Sequence, residues 1–291
     1  MRFQFIDDHR DTFPVRRMCN ELDVSPSGYY AWRKRPPSAR EMANQELYDK
    51  IKAVHDDNHG VYGIPRIYRE LKDQGIACSE NRIARLMPLR GLRAKQTTRF
   101  RSTTKRNPAH PVAPNLLKRN FVAKRPNQKW LSDITYIPTR EGWLYLAAIL
   151  DLYTRRIVGW AMSERMTGDL TISALKMALR QRQPMCGLLH HSDQGSQYTD
   201  RKYQALLKDH GIQISMNSVG SWYHNAPMES FFGTLKSELV HHRAYLTRAE
   251  AQSDLFYYVE AFYNRRRRHS ALNYISPHAY ECLYYQEHHV H

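Results

Sequence analysis

Three carboxylates stand in sequence contexts that could bring them together. Asp133 lies in the segment Trp130–Ile137, whose alternation of apolar and polar residues is typical of a β-strand. Asp193 follows an apolar run at the start of a turn, and Glu229 lies where a helix is predicted to open. Thirty-five residues separate Asp193 from Glu229, and Lys236 follows Glu229 by two helical turns. A strand, a strand end and a helix start are therefore each expected to present one acid.

The chemistry that such a set of acids could perform depends on a cation. Carboxylates gathered from separate elements repel one another unless a cation neutralises them. Their hard oxygen atoms suit Mg²⁺ or Mn²⁺. Two such ions about 3.5–4 Å apart can stabilise both the attacking and the leaving oxygen of a phosphodiester displacement. Asp133, Asp193 and Glu229 are therefore predicted to be catalytic and to bind two divalent metal ions per active site.

Each acid also has an ordinary structural interpretation. A single Asp or Glu is more often part of a surface ion pair or a helix cap, and Asp151 and Glu141 are further acids in the same region. The adjacent His190 and His191 could orient Asp193, or they could be ordinary core or surface histidines. The combination of three contexts, rather than any single residue, favours the catalytic interpretation.

Strand and helix patterns from residue 130 onwards predict an α/β domain. Three apolar runs joined by short turns predict an antiparallel meander, after which helices and strands alternate. The predicted strands are Trp130–Pro138, Trp143–Leu152, Arg156–Ser163, Cys186–His191 and Ile212–Asn217, and the predicted helices are Thr167–Arg182, Tyr198–His210 and a helix that carries Glu229 and ends at about Val240. Asn225 can cap that last helix, and Pro227 suits its first turn. This order predicts a mixed central sheet.

Two small all-helical units are predicted in front of this domain. Residues 13–35 have the pattern helix, turn, helix, compatible with a DNA-binding helix-turn-helix or with a helical hairpin whose core is Tyr29 and Trp32. Further helical patterns occupy about 41–57, 65–74 and 79–88. The predicted units are 1–40 (helix-turn-helix), 41–96 (second helical DNA-binding unit), 97–122 (basic extended linker) and 123–285 (catalytic domain with a C-terminal helical and basic extension).

The charge of the chain favours a polyanionic partner. Its 44 Lys and Arg residues exceed its 28 Asp and Glu residues, which gives a net charge of +16. From Asn81 to Ser132 there are fourteen Lys or Arg residues and no acid, so this stretch is predicted to contact a DNA backbone. The predicted DNA-binding residues are Lys236, Arg99, Arg101, Lys105, Arg106, Lys124, Arg125, Arg267 and His269. The alternative for Arg265–Arg268 and His269 is a solvated helix face.

Cysteine usage and hydropathy argue against several other classes of protein. The four cysteines are scattered without a Cys-x-x-Cys pair, so neither a zinc site nor a disulfide framework is expected. No stretch approaches eighteen apolar residues, and the start of the chain has no signal-peptide pattern. We therefore expect a cytoplasmic protein with no membrane partner.

Residues 125–281 resemble the catalytic domain of integrase-like DDE transposases of bacterial insertion sequences, specifically the second-frame (OrfB-type) product of the IS-three family. The matching segments are Trp130–Ile137, Gly142–Ala147, Ser192–Tyr198, Met228–Lys236, Tyr263–His269 and Leu272–Tyr274. Residues 13–95 are similar to the helical DNA-binding region of that family, including Ser27–Trp32 and Tyr62–Ile67. His224 stands where the family usually has Asp, a difference that flanks the three acids without replacing one.

The resemblance implies an RNase H-like core in which Asp133, Asp193 and Glu229 bind the metal ions. It also implies metal-dependent DNA cleavage at the ends of an insertion sequence, followed by strand transfer through a freed 3′-hydroxyl. The expected partner is double-stranded DNA, both the terminal inverted repeats of the element and the target. A homodimer or higher oligomer is expected on DNA, because two ends must be processed together. A bacterial, nucleoid-associated location follows, and the active form in the family is often a frameshifted fusion with an upstream segment.

Two other functions are compatible with parts of the sequence. A DNA-binding regulator could keep the fold without the activity, although the complete set of three acids argues against it. An RNase H-like nuclease could act on RNA–DNA hybrids, but the predicted helix-turn-helix and the basic connector favour duplex DNA.

Overall fold

The computed structural model describes residues 1–95, 113–217 and 225–288. Four of the predicted DNA-binding residues, Arg99, Arg101, Lys105 and Arg106, lie outside the described residues, as does His224. Within the described ranges, no helix is long and apolar enough to cross a bilayer.

The first unit contains three short helices, α1 (Arg2–Asp8), α2 (Val15–Glu21) and α3 (Pro26–Lys34). The Ser25 hydroxyl caps α3 by accepting a hydrogen bond from a backbone amide, and a proline occupies the first turn. The buried core of the unit is Ile6, Met18, Cys19 and Tyr29. The sequence pattern predicted α2, α3 and the buried tyrosine. It did not predict α1, which is seven residues long and has one buried residue, too few for an apolar stripe.

The second unit consists of α4 (Ala39–Asp57), α5 (Ile64–Asp73) and α6 (Glu80–Leu89). Ser38 and Glu41 form a reciprocal capping box at the start of α4, and the hydroxyl of Ser79 caps α6. Apolar residues of all three helices, among them Leu47, Ile51, Ile67, Leu71 and Ile83, are buried together. These bounds agree with the predicted helices to within two residues, because caps and glycine turns mark the helix ends in the sequence.

A five-stranded mixed sheet forms the centre of the C-terminal domain, in the order β3-β2-β1-β4-β5. The strands are β1 (Lys129–Thr139), β2 (Gly142–Asp151), β3 (Ile157–Ser163), β4 (Leu189–Ser192) and β5 (Gln213–Met216). β1 pairs with β2 and β2 with β3 in antiparallel fashion, whereas β1, β4 and β5 are parallel. Every predicted strand is present. β4 begins later than predicted because Gly187 turns the chain with a positive φ.

Helices cover both faces of this sheet. On one face lie α7 (Gly168–Arg182) and α8 (Arg201–Asp209), which bury Trp130. On the other lies α9 (Ala226–Glu238), which shares an apolar cluster with Leu131. Successive residues of a strand point to opposite faces, so these two neighbours on β1 belong to separate clusters.

The first part of the C-terminal extension packs onto the face of the sheet that α9 covers. Its elements are a 3-10 turn Val240–His242, α10 (Arg248–Phe256), a π-helical segment Tyr257–Tyr263, a 3-10 turn Ser270–Leu272 and α11 (Pro277–Glu287). Leu255, Tyr258 and Phe262 enter the apolar cluster that contains α9. Residues of α10 and of the π-helical segment therefore form part of the apolar layer on that face of the C-terminal domain.

A buried ion-pair cluster fixes α11 to the rest of the domain. The Glu281 carboxylate accepts from Arg156 Nη1 at 2.5 Å, and Arg182 also donates to it. Glu281 is 3% exposed, so its charge is neutralised inside the protein rather than by solvent.

Candidate active site

Asp133 and Asp193 lie on neighbouring parallel strands. In the ladder between β1 and β4, Leu131 faces His191. Continuing this register by two residues places Asp193 beside Asp133, just beyond the end of β4. Neighbouring strands are about 4.8 Å apart, so the backbone brings the two carboxylates close together at the carboxyl end of β4.

A tight turn fixes the Asp193 side chain. Its Oδ1 atom accepts a hydrogen bond from the Gly195 amide at 2.8 Å. A Cβ on Gly195 would lie 2.9 Å from the same oxygen, so a glycine is needed where the backbone passes so close to the carboxylate. The turn therefore orients one oxygen of Asp193 and leaves the other available to a ligand.

The two histidines before Asp193 have structural roles. The ring nitrogens of His191 contact Ser215 Oγ at 2.8 Å and Asn217 Oδ1 at 2.6 Å, which ties β4 to β5. The ring of His190 is buried and contacts the Tyr203 hydroxyl at 3.0 Å. Both histidines are therefore core residues, rather than residues that orient Asp193.

Glu229 lies in the first turn of α9, whose start is held against β1. Asn225 Nδ2 donates to the carbonyl oxygen of Ser132, the residue before Asp133, at 3.1 Å. This buried bond fixes where α9 begins relative to the strand that carries Asp133. The prediction that the Asn225 side chain caps the helix was wrong, because the side chain is used for this bond between elements. Glu229 itself is exposed, whereas Met228 beside it is buried.

The three acids influence one another electrostatically. Burial raises the pKa of the Asp133 carboxyl, and the nearby carboxylates of Asp193 and Glu229 raise it further. The Ile134 amide, which donates to Asp133 Oδ1 at 2.8 Å, and the Lys236 ammonium act in the opposite direction. Burial also raises the pKa of Asp193. The fold thus disfavours the ionised forms of both aspartates, and a cation bound between them would stabilise the folded protein.

Lys236 lies inside the site rather than on the open surface. The residue is 4% exposed, and its ammonium group lies 4.6 Å from the centre of the Tyr136 ring. Burial lowers the pKa of Lys236 to about 8, while the Asp133 carboxylate raises it. Its predicted contact with DNA stays a prediction, and this position suits a phosphate that has entered the site.

The donor atoms suit a divalent cation, but all three acids are not gathered in advance. Among the described residues, no three His, Cys, Asp or Glu side chains lie close enough together to hold a metal ion. Asp133 and Asp193 offer hard oxygen donors on adjacent strands, and both have raised pKa values. The aspartate pair therefore fits such an ion, and Glu229 must approach it to complete the set. A common site for the three acids stays a prediction.

The remaining predicted DNA contacts fall into two groups. Lys124 and Arg125 are exposed just before β1, so they remain predicted contacts. Arg267 is 5% exposed and forms a bidentate ion pair with Glu238. Because its guanidinium is engaged inside the protein, the prediction that Arg267 contacts DNA was wrong. Burial and nearby arginines lower the pKa of His269 to about 4, so it is neutral near pH 7. The prediction that His269 contacts DNA stays a prediction.

The sequence-based predictions did not include the ion pair between Glu238 and Arg267. Glu238 Oε2 accepts from Arg267 Nε and from the Tyr258 hydroxyl, each at 2.8 Å. Glu238 is on α9, the helix that carries Glu229, whereas Arg267 follows it by 29 residues. Such a separation leaves no local spacing pattern. The available signal is weak, since only the residues after Glu238, Leu239 and Val240, are apolar.

Three family models match the chain. An integrase core domain model matches residues 123–221, and a second integrase core domain model matches residues 210–277. An HTH-like domain model matches residues 42–100. The matched segments contain the five strands, α9 and the second helical unit.

Curated proteins similar to this chain come from insertion sequences. The uncharacterized 31 kDa protein of insertion element IS600 from Shigella sonnei is 48% identical over 269 residues, which covers 92% of this chain and 99% of that protein. Transposase InsF of insertion sequence IS3A from Escherichia coli strain K12 is 40% identical over 283 residues, which covers 97% of this chain and 98% of that protein.

Solved structures similar to this chain are retroviral integrases. The simian T-cell lymphotropic virus intasome, in complex with PP2A regulatory subunit B56 gamma, matches with a TM-score of 0.46 at 15% identity, covering 78% of this chain and 72% of that chain. The HTLV-2 integrase catalytic core domain in complex with magnesium, in its trimeric form, matches with a TM-score of 0.44 at 15% identity, covering 55% of this chain and 99% of that chain.

Proposed function

This chain belongs to the integrase-core transposases of the IS3 (IS-three) family of insertion sequences, and we propose that Asp133, Asp193 and Glu229 are its catalytic residues and metal ligands. The chain is a DNA transposase. The observation that supports the assignment most strongly is the register between β1 and β4, which brings two partly buried acids with raised pKa values side by side. Perturbed carboxylates of this kind are common at functional sites.

The proposed cofactor is Mg²⁺ or Mn²⁺, with two ions per active site. When bound, the ions activate the attacking oxygen and neutralise charge on the departing one. Asp133 supplies an oxygen donor from β1, and Asp193 supplies one from the turn after β4. Glu229 supplies a third from α9, and Asn225 holds the start of that helix against the carbonyl oxygen of Ser132.

The proposed reaction is in-line displacement at phosphorus in two steps. In the first, water attacks a phosphodiester at the element end, the P–O3′ bond breaks, and a 3′-hydroxyl is released. In the second, that 3′-hydroxyl attacks a phosphodiester of the target, whose own P–O3′ bond breaks as the new bond forms. Lys236 is placed beside Asp133, where its ammonium could contact a phosphate oxygen. No protein nucleophile is required, because DNA and water supply the attacking oxygens.

The proposed partners are the terminal inverted repeats of the element, target DNA and further copies of this chain. Two ends must be cut and joined in concert, which requires at least two active sites. We expect a dimer or higher oligomer on DNA, measured by light scattering of the complex. An active complex that contains one copy would contradict this expectation.

Substitution of Asp193 by Asn tests the assignment. The variant keeps the size of the side chain and removes its charge, so DNA binding should persist while Mg²⁺-dependent cleavage and strand joining are lost. The matched control is Asp209→Asn, an exposed acid on α8, which should behave as the wild type. Normal joining by Asp193→Asn would refute the site. Absence of cleavage in the wild type would favour a silent DNA-binding regulator, and preference for an RNA–DNA hybrid would favour a nuclease.

A further inference from the structure

The arginine-rich segment after the π-helical segment lies against the second helical unit. The Tyr62 hydroxyl, at the turn between α4 and α5, donates to the carbonyl oxygen of Arg266 at 3.2 Å. The same hydroxyl accepts from the backbone amide of Arg268 at 2.8 Å. Arg266 in turn donates to the carbonyl oxygen of Asp57 at the end of α4. The hydroxyl of one buried tyrosine therefore forms hydrogen bonds with the backbone of both Arg266 and Arg268.

The side chain of Arg268 pairs with acids of the same unit. Its guanidinium lies 2.6 Å from Glu70 Oε2 and 2.7 Å from Asp73 Oδ2, and it is 14% exposed. Arg66 donates to the carbonyl oxygen of Arg268 at 2.9 Å. All three partners are on α5, so Arg268 is held by one face of that helix. Partly buried pairs of this kind set register and orientation more than they add affinity.

Arg267, between these two residues, engages the catalytic domain instead. Its guanidinium forms the bidentate pair with Glu238 at the end of α9, the helix that carries Glu229. Lys95, near the end of the second helical unit, donates to the carbonyl oxygen of Glu238 at 3.1 Å. Arg266 and Arg268 therefore contact the second helical unit, whereas Arg267 between them contacts α9.

An apolar layer reinforces these polar contacts. Buried residues of α4, α5 and α6 belong to the same cluster as residues of α9 and the π-helical segment. The His59 ring of the helical unit lies 5.2 Å from the Phe262 ring, edge to face. Domains move relative to one another by default unless their interface is large and apolar. The shared cluster indicates that these two units hold a fixed relative position.

We propose that Arg266–Arg268 is a docking segment that sets the distance between the DNA held by the second helical unit and the active site. This inference rests on the proposed function of Asp133, Asp193 and Glu229. A duplex rises about 3.4 Å per base pair, so a fixed spacing between the two units selects one phosphodiester for attack. The docking segment would then determine where the DNA is cut, in addition to supporting the fold.

The experiment reverses one charge of the docking segment. Arg268→Glu places a third acid beside Glu70 and Asp73, and the repulsion among them should weaken the contact between the docking segment and the second helical unit. The control Arg265→Glu makes the same change at an exposed neighbour that has no described contact with the helical unit. The double variant Arg268→Glu with Glu70→Arg restores opposite charges. Each protein is incubated with Mg²⁺ and an end-labelled duplex of the element terminus with flanking DNA, and products are mapped to single nucleotides.

The wild type should cut at one bond, and Arg268→Glu should cut at positions spread by about one or two base pairs, the shift that a displacement of a few ångströms produces. The double variant should return to one bond, and Arg265→Glu should keep the wild-type position even if it binds DNA more weakly. If Arg268→Glu does not fold, Tyr62→Phe removes two hydrogen bonds of the same contact and gives the same readout. Cleavage by these variants at the unchanged bond would overturn the proposal. Failure of the active-site assignment is distinguishable, because Asp193→Asn would then still cut.

Discussion

Two groups of acids in the described part of the catalytic domain, one partly buried and one buried, have different surroundings. On β1 and just after β4, Asp133 and Asp193 each accept a hydrogen bond from a backbone amide, and they repel each other. In the helical layer, Glu238 is paired with Arg267, and Glu281 is paired with two arginines. Burial disfavours a carboxylate in both regions. Arginines form ion pairs with the acids of the helical layer, whereas Asp133 is influenced by the Lys236 ammonium and by two other carboxylates.

The difference indicates which acids serve stability and which serve chemistry. A buried carboxylate with an arginine partner has its charge neutralised once the chain has folded. A partly buried carboxylate that lies beside another carboxylate destabilises the folded chain, and natural proteins keep such groups at functional sites. We therefore expect substitutions in the two regions to change stability in opposite directions.

The largest effect is expected for Glu238→Ala. Removing one partner of a buried pair leaves the Arg267 charge uncompensated, so the free energy of unfolding should fall by about 3–5 kcal/mol. Urea denaturation measures the change. The control Glu21→Ala alters an exposed acid of α2 and should change stability by less than about 0.5 kcal/mol. A Glu238→Ala protein as stable as the wild type would contradict the structural role of this pair.

Glu281→Gln should lower the free energy of unfolding by about 1.5–3 kcal/mol at pH 7, with a defined pH dependence. Burial alone raises the pKa of Glu281, but Arg182 and Arg156 hold it below its usual value. The stabilisation by the charged form is therefore complete above the unfolded pKa of about 4.3 and is lost as the pH falls through the folded pKa. Thermal unfolding of wild type and variant from pH 7 to pH 3.5 should show the difference shrinking. The exposed Glu287→Gln should give no such trend.

Asp133→Asn should act in the opposite direction on stability. The raised pKa of Asp133 means that its ionised form destabilises the folded chain above the unfolded pKa, and one pKa unit corresponds to about 1.4 kcal/mol. In EDTA at pH 7 the variant should therefore be more stable than the wild type by about 1 kcal/mol or more, while losing DNA cleavage. Added Mg²⁺ should stabilise the wild type and not the variant. A variant that is less stable in EDTA would show that this acid has a structural role like that of Glu238.

The smallest effect on stability is expected for Lys124→Ala combined with Arg125→Ala. Both side chains are exposed, so the free energy of unfolding should change by less than about 0.5 kcal/mol. If both side chains bind phosphates, the slope of log K against log salt should decrease by about 0.9 for each phosphate that the variant no longer neutralises. Unchanged affinity and slope would remove these residues from the DNA-binding surface.

Much of the fold was predictable because its signals are local. Period-two alternation and short turns predicted β1 to β3, and caps with apolar spacing predicted α4 to α9. The RNase H-like fold class and the transposase function, which motif resemblance implied, are confirmed by the mixed sheet and by the family models. The three acids were chosen by context, and the register between β1 and β4 supports the choice of the two aspartates.

The remaining features depend on contacts between residues far apart in the chain. Arg267 was predicted to bind DNA because a run of arginines has no local mark that separates an internal partner from an external one. The bond from Asn225 to the carbonyl oxygen of Ser132 spans 93 residues and competes with the capping role that the local sequence suggested. Long-range pairing of polar groups carries no periodic pattern, so such assignments required the folded chain.

The most direct test of the account is the position of the metal in crystals of the chain bound to an element-end duplex and soaked with Mn²⁺, located by anomalous scattering. The account predicts two peaks near 3.5–4 Å apart, about the spacing of two-metal sites, with Asp133, Asp193 and Glu229 as ligands. Peaks bound elsewhere, with these three carboxylates free of metal, would contradict it.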